Sequence, residues 1–206
     1  MKKDEFYFPS KDGNTEIHTI EWKPEGEVRA VLQLCHGMVE YVDRYDEFAR
    51  FLCEKGFYVV GNDHLGHGKS VQSKSEYGYF SDRYGNTCLI GDIHTLRQRI
   101  AAKYPDVPYF ILGHSMGSYL VRRYLIYHGN RVDGAVIMGT GQQNLLLVKT
   151  GLLVTYLDMM RIGPKGHSKF LDQMTCSGFV RKFPDNRKTG SWVSRDPQVL
   201  IHTLQD

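Results

Sequence analysis

Apolar and polar positions change rhythm several times along this chain, and each change marks an expected element. Residues 6–9 and 15–22 are strand-like, and the Asp12-Gly13 step between them is a strong hairpin signal, so the chain opens on an antiparallel pair. Residues 28–35 form a near-continuous apolar run, 45–55 a helical pattern carried by Phe48, Phe51 and Leu52, and 57–61 a second short apolar run. Continuous runs of this kind belong to strands buried on both faces, which points to a parallel sheet covered by helices. Residues 86–103 put Leu89, Ile93, Leu96 and Ile100 on one helix face, and Pro105 and Pro108 stop that helix before an apolar strand at 109–112. A helical pattern over 116–128 and one more buried strand over 132–138 follow. The expected fold class is α/β, a mostly parallel sheet with an antiparallel N-terminal edge.

After Gly139-Thr140-Gly141 the strand rhythm stops. Leu145-Leu146-Leu147, Leu152-Leu153-Val154 and Met159-Met160 lead to a break at Gly163-Pro164-Lys165-Gly166, beyond which short helical pieces and loops are anchored by Phe170, Leu171, Phe183 and Trp192. Residues 1–141 read as the N-terminal part of an α/β core and 142–206 as a helical cap inserted over the sheet. An appendage that packs its leucines into the core is the alternative, because apolar stripes usually pack.

Composition narrows the function classes. At 206 residues, 41% hydrophobic and 24% charged, the chain suits one soluble globular core, and disorder is not indicated. A net charge of +3 with interspersed signs provides no basic stripe for nucleic acid; Lys2-Lys3 and Arg181-Lys182 read as solvated surface. There is no run of about 18 apolar residues and no signal-peptide core after Met1-Lys2-Lys3-Asp4-Glu5, so a cytoplasmic location without a stable membrane anchor is expected. Cys35, Cys53, Cys88 and Cys176 lack C-x-x-C spacing, so neither disulfides nor a zinc knuckle is expected.

The candidate chemistry begins at Gly113-His114-Ser115-Met116-Gly117. With 21 glycines in the chain, a bare match to G-x-S-x-G carries little weight. Its position, after an apolar strand and before a helix, is that of a serine-hydrolase elbow, whose tight turn leaves no room for side chains two residues either side of the nucleophile. Attack by serine builds an oxyanion that needs preorganised N–H donors. One is expected from Met116, after the nucleophile, and the second from Met38, since His36-Gly37-Met38 follows the strand at 28–35. Gly37, Met38, His114 and Met116 are the candidate substrate-binding residues, the methionines as soft walls for an acyl group. A simple strand-ending turn at His36-Gly37 is the bland alternative. Asp63-His64-Leu65-Gly66-His67-Gly68-Lys69-Ser70 admits a metal reading, but its histidines fall in a Gly-broken turn with no nearby Glu base. A structural turn satisfied by Asp63 and His67 hydrogen bonds is expected instead, with no metal and no cofactor.

Taken together, His36-Gly37-Met38-Val39-Glu40 with Arg44-Tyr45, then the segment at 63–70, then Asp92-Ile93, then Gly113-His114-Ser115-Met116-Gly117 resemble the monoacylglycerol lipase and lysophospholipase (serine aminopeptidase S33-like) branch of the α/β-hydrolases. The motifs run in that family's order across residues 28–141. The resemblance implies an α/β-hydrolase fold with a cap inserted after the sixth strand. It also implies cleavage of carboxylic esters of glycerol or lysolipids through an acyl-enzyme at Ser115, with oxyanion donors at Met38 and Met116. Tyr41 stands where lipase relatives often carry histidine, which leaves acyl or glycerol preference open.

In this fold the triad acid and base follow the serine on loops after the last two strands. Ninety-one residues follow Ser115, and none of its downstream histidines, His128, His167 and His202, comes after a buried strand. Asp133, Asp158, Asp172, Asp185, Asp196 and Asp206 likewise lie before a strand or in the cap region. Two more strand-helix units, ~60 residues, are needed to finish the sheet, so the chain reads as an N-terminal fragment whose C-terminal strands and triad Asp and His are missing. A C-terminal segment of the same protein is then an expected partner, beside a small ester or lipid substrate. Loss of a triad histidine costs ~10⁶ in kcat, so weak or no turnover is expected from these residues alone. A peptidase or thioesterase on the same scaffold, and a non-catalytic remnant that holds an acyl ligand, are the competing functions.

Overall fold

The computed structural model of the chain describes residues 1–81, 83–171 and 173–174. Two compact units, Met1–Gln142 and Gln143–Asp206, make up the chain. The first holds six strands, β1 (Lys2–Pro9), β2 (Glu16–Lys23), β3 (Ala30–Cys35), β4 (Phe57–Asn62), β5 (Tyr109–His114) and β6 (Gly134–Met138). Its helices are α1 (Asp46–Cys53), α2 (Gly85–Lys103) and α3 (Met116–His128).

The strands form one sheet in the order β1-β2-β4-β3-β5-β6. β1 and β2 pair antiparallel, with Lys2 opposite Lys23 and Pro9 opposite Glu16, and β2 runs antiparallel to β4. β4, β3, β5 and β6 are parallel, as the continuous apolar runs imply. At the hairpin Gly13 takes a φ of 82°, and the Asp12 carboxylate accepts the Asn14 and Thr15 N–H groups at 2.8 and 2.9 Å, satisfying donors that the turn removes from the ladder.

β3 is central and buried along its whole length. Its alternation sends Val31 and Cys35 to one face and Leu32 and Leu34 to the other. On the first face they meet Leu89, Ile93, Leu96 and Ile100 of α2 together with Val121 and Tyr124 of α3. On the second, Leu32 and Leu34 pack with Trp22, Val59, Ala49 and Cys53. Each fully buried large aliphatic side chain stabilises by about 1.5–3 kcal/mol relative to exposure. Gln33, polar in the middle of this strand, donates to Ile93 O at 3.0 Å and accepts the Tyr109 hydroxyl at 2.6 Å, so both ends of its amide are paired. Asp92 of α2 accepts the Ser10 hydroxyl and the Lys11 N–H, both at 2.7 Å, fastening the hairpin to the helix. Burial raises its pKa to about 6 despite those two donors.

Two expectations need correction. The helical pattern at 45–55 resolves into a 3-10 turn, Val42–Tyr45, and the eight-residue α1. Its buried residues are Ala49 and Cys53, with Leu52 half-buried against the same cluster, while Phe48 and Phe51 are exposed. The strand expected at 132–138 is Gly134–Met138 and is not buried: Val136 and Met138 are 48% and 47% exposed. Among the described residues β6 has one neighbour, β5, so half of its surroundings is open.

In the second unit α4 (Leu145–Ile162) is one continuous helix. The Asn144 side chain accepts the Leu146 N–H at 2.8 Å as its N-cap, and Gly163 at φ 83° ends it. Leu145, Leu146, Leu147, Leu152 and Leu153 are exposed. Cys176, Phe183 and Trp192 lie outside the described residues. No helix among the described residues is long and apolar enough to cross a membrane.

Candidate active site

Where β5 ends and α3 begins, Ser115 sits at φ 49° and ψ −117°, a left-handed φ that a residue with a Cβ rarely adopts. Such a conformation costs of order 1–3 kcal/mol and persists only where surrounding contacts hold it. Here they do. The Ser115 N–H donates to Met138 O at 2.9 Å, tying the turn to the end of β6, and the Ser118 N–H and hydroxyl both donate to Ser115 O, at 2.9 and 2.6 Å. The two flanking glycines are required sterically. A Cβ on Gly113 would lie 2.8 Å from Ser118 Cα, inside the first turn of α3. On Gly117 it would lie 2.6 Å from both the Cys35 carbonyl carbon and His36 O, inside the end of β3.

The loop after β3 comes to the same place. A Cβ on Gly37 would be 3.1 Å from the Ser115 Cβ, so this loop is more than a strand-ending turn. His36 anchors it: Nδ1 donates to Gly37 O at 2.7 Å while Nε2 accepts the His64 N–H at 3.0 Å. That pairing needs the neutral ring, and burial beside His67 lowers its pKa to about 4. Val39 takes a φ of 58°, and Met38 is 60% exposed. Among the described residues, neither the Met38 N–H nor the Met116 N–H has a hydrogen-bond acceptor. Met116 follows the half-buried Ser115 in sequence, and Met38 follows Gly37, which lies against it. His114 and Met116 are half-buried as well, and beneath them the Cys35 thiol is fully buried, its pKa pushed up to about 12 by burial.

The segment at 63–70 packs behind this loop as a structural turn. Asp63 accepts the Val42 N–H at 2.7 Å, the Lys69 N–H at 2.8 Å and His18 Nδ1 at 2.8 Å, and His67 Nδ1 bonds Leu65 O at 3.0 Å. The His64 ring lies 4.3 Å from that of His36, and burial holds its pKa well below the ordinary histidine value. No group of three or more His, Cys, Asp or Glu among the described residues is arranged to hold a metal.

One participant escapes the sequence motifs. His18 of β2 bridges two carboxylates, Asp63 at Nδ1 and Glu5 at Nε2, each at 2.8 Å. Burial by itself lowers its pKa, but the hydrogen bonds to Asp63 and Glu5 outweigh that, and the net shift is upward. A raised folded pKa means that the stabilisation is complete below pH 6.5 and is lost as pH rises through the folded value. His18→Phe is therefore expected to cost about 3 kcal/mol at pH 6, and progressively less as the solution becomes alkaline, in urea unfolding followed across pH. An equal cost at every pH would show that His18 is neutral in the fold.

The remaining titratable groups are not at the serine. No described histidine hydrogen-bonds the Ser115 hydroxyl. His128 lies at the far end of α3, stacked on His94 with ring centroids 3.9 Å apart. Asp133 accepts the Tyr109 N–H at 2.7 Å at the opposite end of β5, and Asp158 pairs with Arg161 in α4. His167 is exposed in the second unit, while Asp172, Asp185, Asp196, His202 and Asp206 lie outside the described residues.

Comparison with known proteins agrees with this geometry. A family profile described as serine aminopeptidase, S33 matches residues 26–206. Monoglyceride lipase of Mus musculus is 41% identical over 96 residues, which are 47% of this chain and 30% of that protein. Monoacylglycerol lipase of Mycolicibacterium smegmatis is 30% identical over 127 residues, 62% of this chain and 43% of that protein. The crystal structure of a thermostable carboxyl esterase from Bacillus coagulans in complex with glycerol superposes with a TM-score of 0.88 at 28% identity, covering 100% of this chain and 66% of the esterase chain. The chain thus spans less than half the length of these curated relatives. With the family model matched over most of its length and the chain as a whole superposing on an esterase, this chain belongs to the serine aminopeptidase S33 family of α/β-hydrolases.

Proposed function

We propose that the chain carries the nucleophile and oxyanion half of a serine hydrolase that cleaves carboxylic esters, with monoacylglycerols or lysophospholipid-like lipids as substrates. The observation that carries this reading is Ser115 at φ 49° between two sterically required glycines, with the Met38 and Met116 N–H groups unengaged. In the reaction the Ser115 oxygen attacks the ester carbonyl carbon, the hydroxyl proton passes to a general base, and the carbonyl oxygen gathers charge as the tetrahedral intermediate forms. Two preorganised N–H donors, Met38 and Met116, stabilise that charge; a single such donor is worth ~10²–10³ in rate. Collapse expels the alcohol and leaves an acyl group on Ser115, which water then removes. In this reading the histidine base and its acid belong to the portion of the relatives that the chain leaves uncovered, supplied by a C-terminal segment of the same protein. Residues 142–206, which include the leucine-rich α4, are read as the cap region. Gly37, Met38, His114 and Met116 line the polar end of the substrate. A cytoplasmic location fits the buried free thiols of Cys35, Cys53 and Cys88.

A substrate panel, run with the C-terminal segment present, tests the ester assignment. Monoacylglycerols and lysophospholipids are expected to be turned over at least ~10-fold faster in kcat/KM than acyl thioesters or short peptides, since a 1.4 kcal/mol difference in transition-state binding suffices for that ratio. Preference for peptides or thioesters would replace the substrate class and leave Ser115 in its role. Binding of acyl ligands with no labelling of Ser115 by a fluorophosphonate when the C-terminal segment is present would identify a non-catalytic remnant instead.

A further inference from the structure

We propose that Glu40 is a positioning residue whose one carboxylate locks the loop after β3 against the nucleophile turn; this rests on the assignment of Ser115 and Met38 above. Three segments converge on it. Its Oε2 accepts the Gly37 N–H at 2.8 Å and the Tyr45 hydroxyl at 3.0 Å, and His114 Nδ1 lies 3.1 Å from Oε1 and 3.3 Å from Oε2. Gly37 belongs to the oxyanion loop, Tyr45 to the turn that leads into α1, and His114 is the residue before Ser115.

The packing makes this a distance-setting contact. A Cβ on Gly37 would fall 3.2 Å from the Glu40 Cδ on one side and 3.1 Å from the Ser115 Cβ on the other, so Gly37 is held between the carboxylate and the nucleophile. Because the Gly37 N–H is engaged by Glu40, Gly37 is not itself the oxyanion donor, and the assignment stays with the adjacent Met38 N–H. Val39, at φ 58°, carries the left-handed backbone that brings Glu40 round to its own loop, a conformation that a β-branched residue keeps only when something holds it. Burial alone raises the carboxyl pKa, but the Gly37 N–H, the His114 ring and the Tyr45 hydroxyl prevail, and Glu40 stays ionised with a lowered value. An ionised, triply engaged carboxylate accepts the stronger, shorter kind of hydrogen bond. Since an oxyanion donor acts only within about 2.7–3.1 Å of the developing charge, a loop released by a few tenths of an ångström loses most of its benefit.

The test uses the 206-residue chain and two readouts, amide hydrogen exchange at Gly37 by NMR and the maximal rate of Ser115 labelling by a fluorophosphonate. In the unmodified chain the Gly37 amide is expected to exchange slowly although it lies in a loop. A freely exchanging Gly37 amide overturns the proposal with no variant made. Glu40→Ala is expected to speed Gly37 exchange at least ~10-fold and to slow maximal labelling by ~10²-fold with little change in the half-saturating probe concentration, the signature of a lost oxyanion geometry. Glu40→Gln keeps an acceptor facing Gly37 and is expected to recover both readouts to within a few-fold. Unchanged Gly37 exchange in Glu40→Ala, or slow labelling in Glu40→Ala that Glu40→Gln does not recover, refutes the positioning role. If Ser115 of the 206-residue chain is unlabelled, as the lack of a described histidine base at the serine allows, Gly37 exchange alone decides whether Glu40 holds the loop, and the nucleophile assignment is tested with the C-terminal segment present.

Discussion

Ser115→Ala is expected to abolish covalent labelling by a fluorophosphonate, and, wherever the chain takes part in ester turnover, to lower kcat by ~10⁶, the scale found when a triad serine is removed. Competing serines are already committed. The Ser118 hydroxyl donates to Ser115 O, that of Ser70 to Asp63 O, and that of Ser10 to Asp92. Among the described serines, Ser115 alone combines a half-buried hydroxyl with a strained backbone at the β5–α3 junction. Peptide mapping by mass spectrometry checks this. A label on any other serine, or labelling that survives in Ser115→Ala, removes the basis for the acyl-enzyme.

The second large effect concerns stability. Gly117→Ala forces a methyl into the Cys35 and His36 carbonyls, which are backbone atoms of the central strand and have no rotamer by which to yield. A loss above ~4 kcal/mol is expected, at the extreme end for a single substitution and enough to unfold a marginal domain. Gly151→Ala supplies the contrast. It lies inside α4 with nothing within 4 Å of an added Cβ, and alanine is favoured over glycine in a helix interior by up to about 1 kcal/mol. Urea unfolding should thus move in opposite directions for two substitutions of identical chemistry. A Gly117→Ala protein with an unchanged midpoint would mean that α3 and β3 can separate at the elbow, contrary to the tight junction described.

How much of this was legible beforehand depended on range. The α3 boundaries and the α2 face of Leu89, Ile93, Leu96 and Ile100 were readable because a helix repeats its contacts within one turn, and the Asp12-Gly13 turn is equally local. The α1 face was not, since the eight-residue helix packs through Ala49 and Cys53, residues that a hydrophobic pattern ranks below Phe48 and Phe51. The exposure of β6 depends on what lies across the sheet, which no periodicity along its own sequence reports. At the site, the glycines and Ser115 were legible from spacing. The Glu5–His18–Asp63 bridge and the pairing of Glu40 with His114 were not, because their partners are 13 to 74 residues apart and meet only once β1, β2, β4, β3 and β5 are assembled in that order.

The burial of Cys35 has one more consequence. Its backbone carbonyl is the wall against which Gly117 closes, and its thiol, fully buried with its pKa pushed up to about 12, is doubly protected from thiol reagents, by access and by protonation. Alkylation at this position therefore proceeds only through transient opening of the β3–α3 seam, and its rate under native conditions is a clock for local unfolding. The residue thus lends the nucleophile turn an internal reporter: the frequency with which the strained serine loses its support can be counted on a sulfur that takes no part in the chemistry.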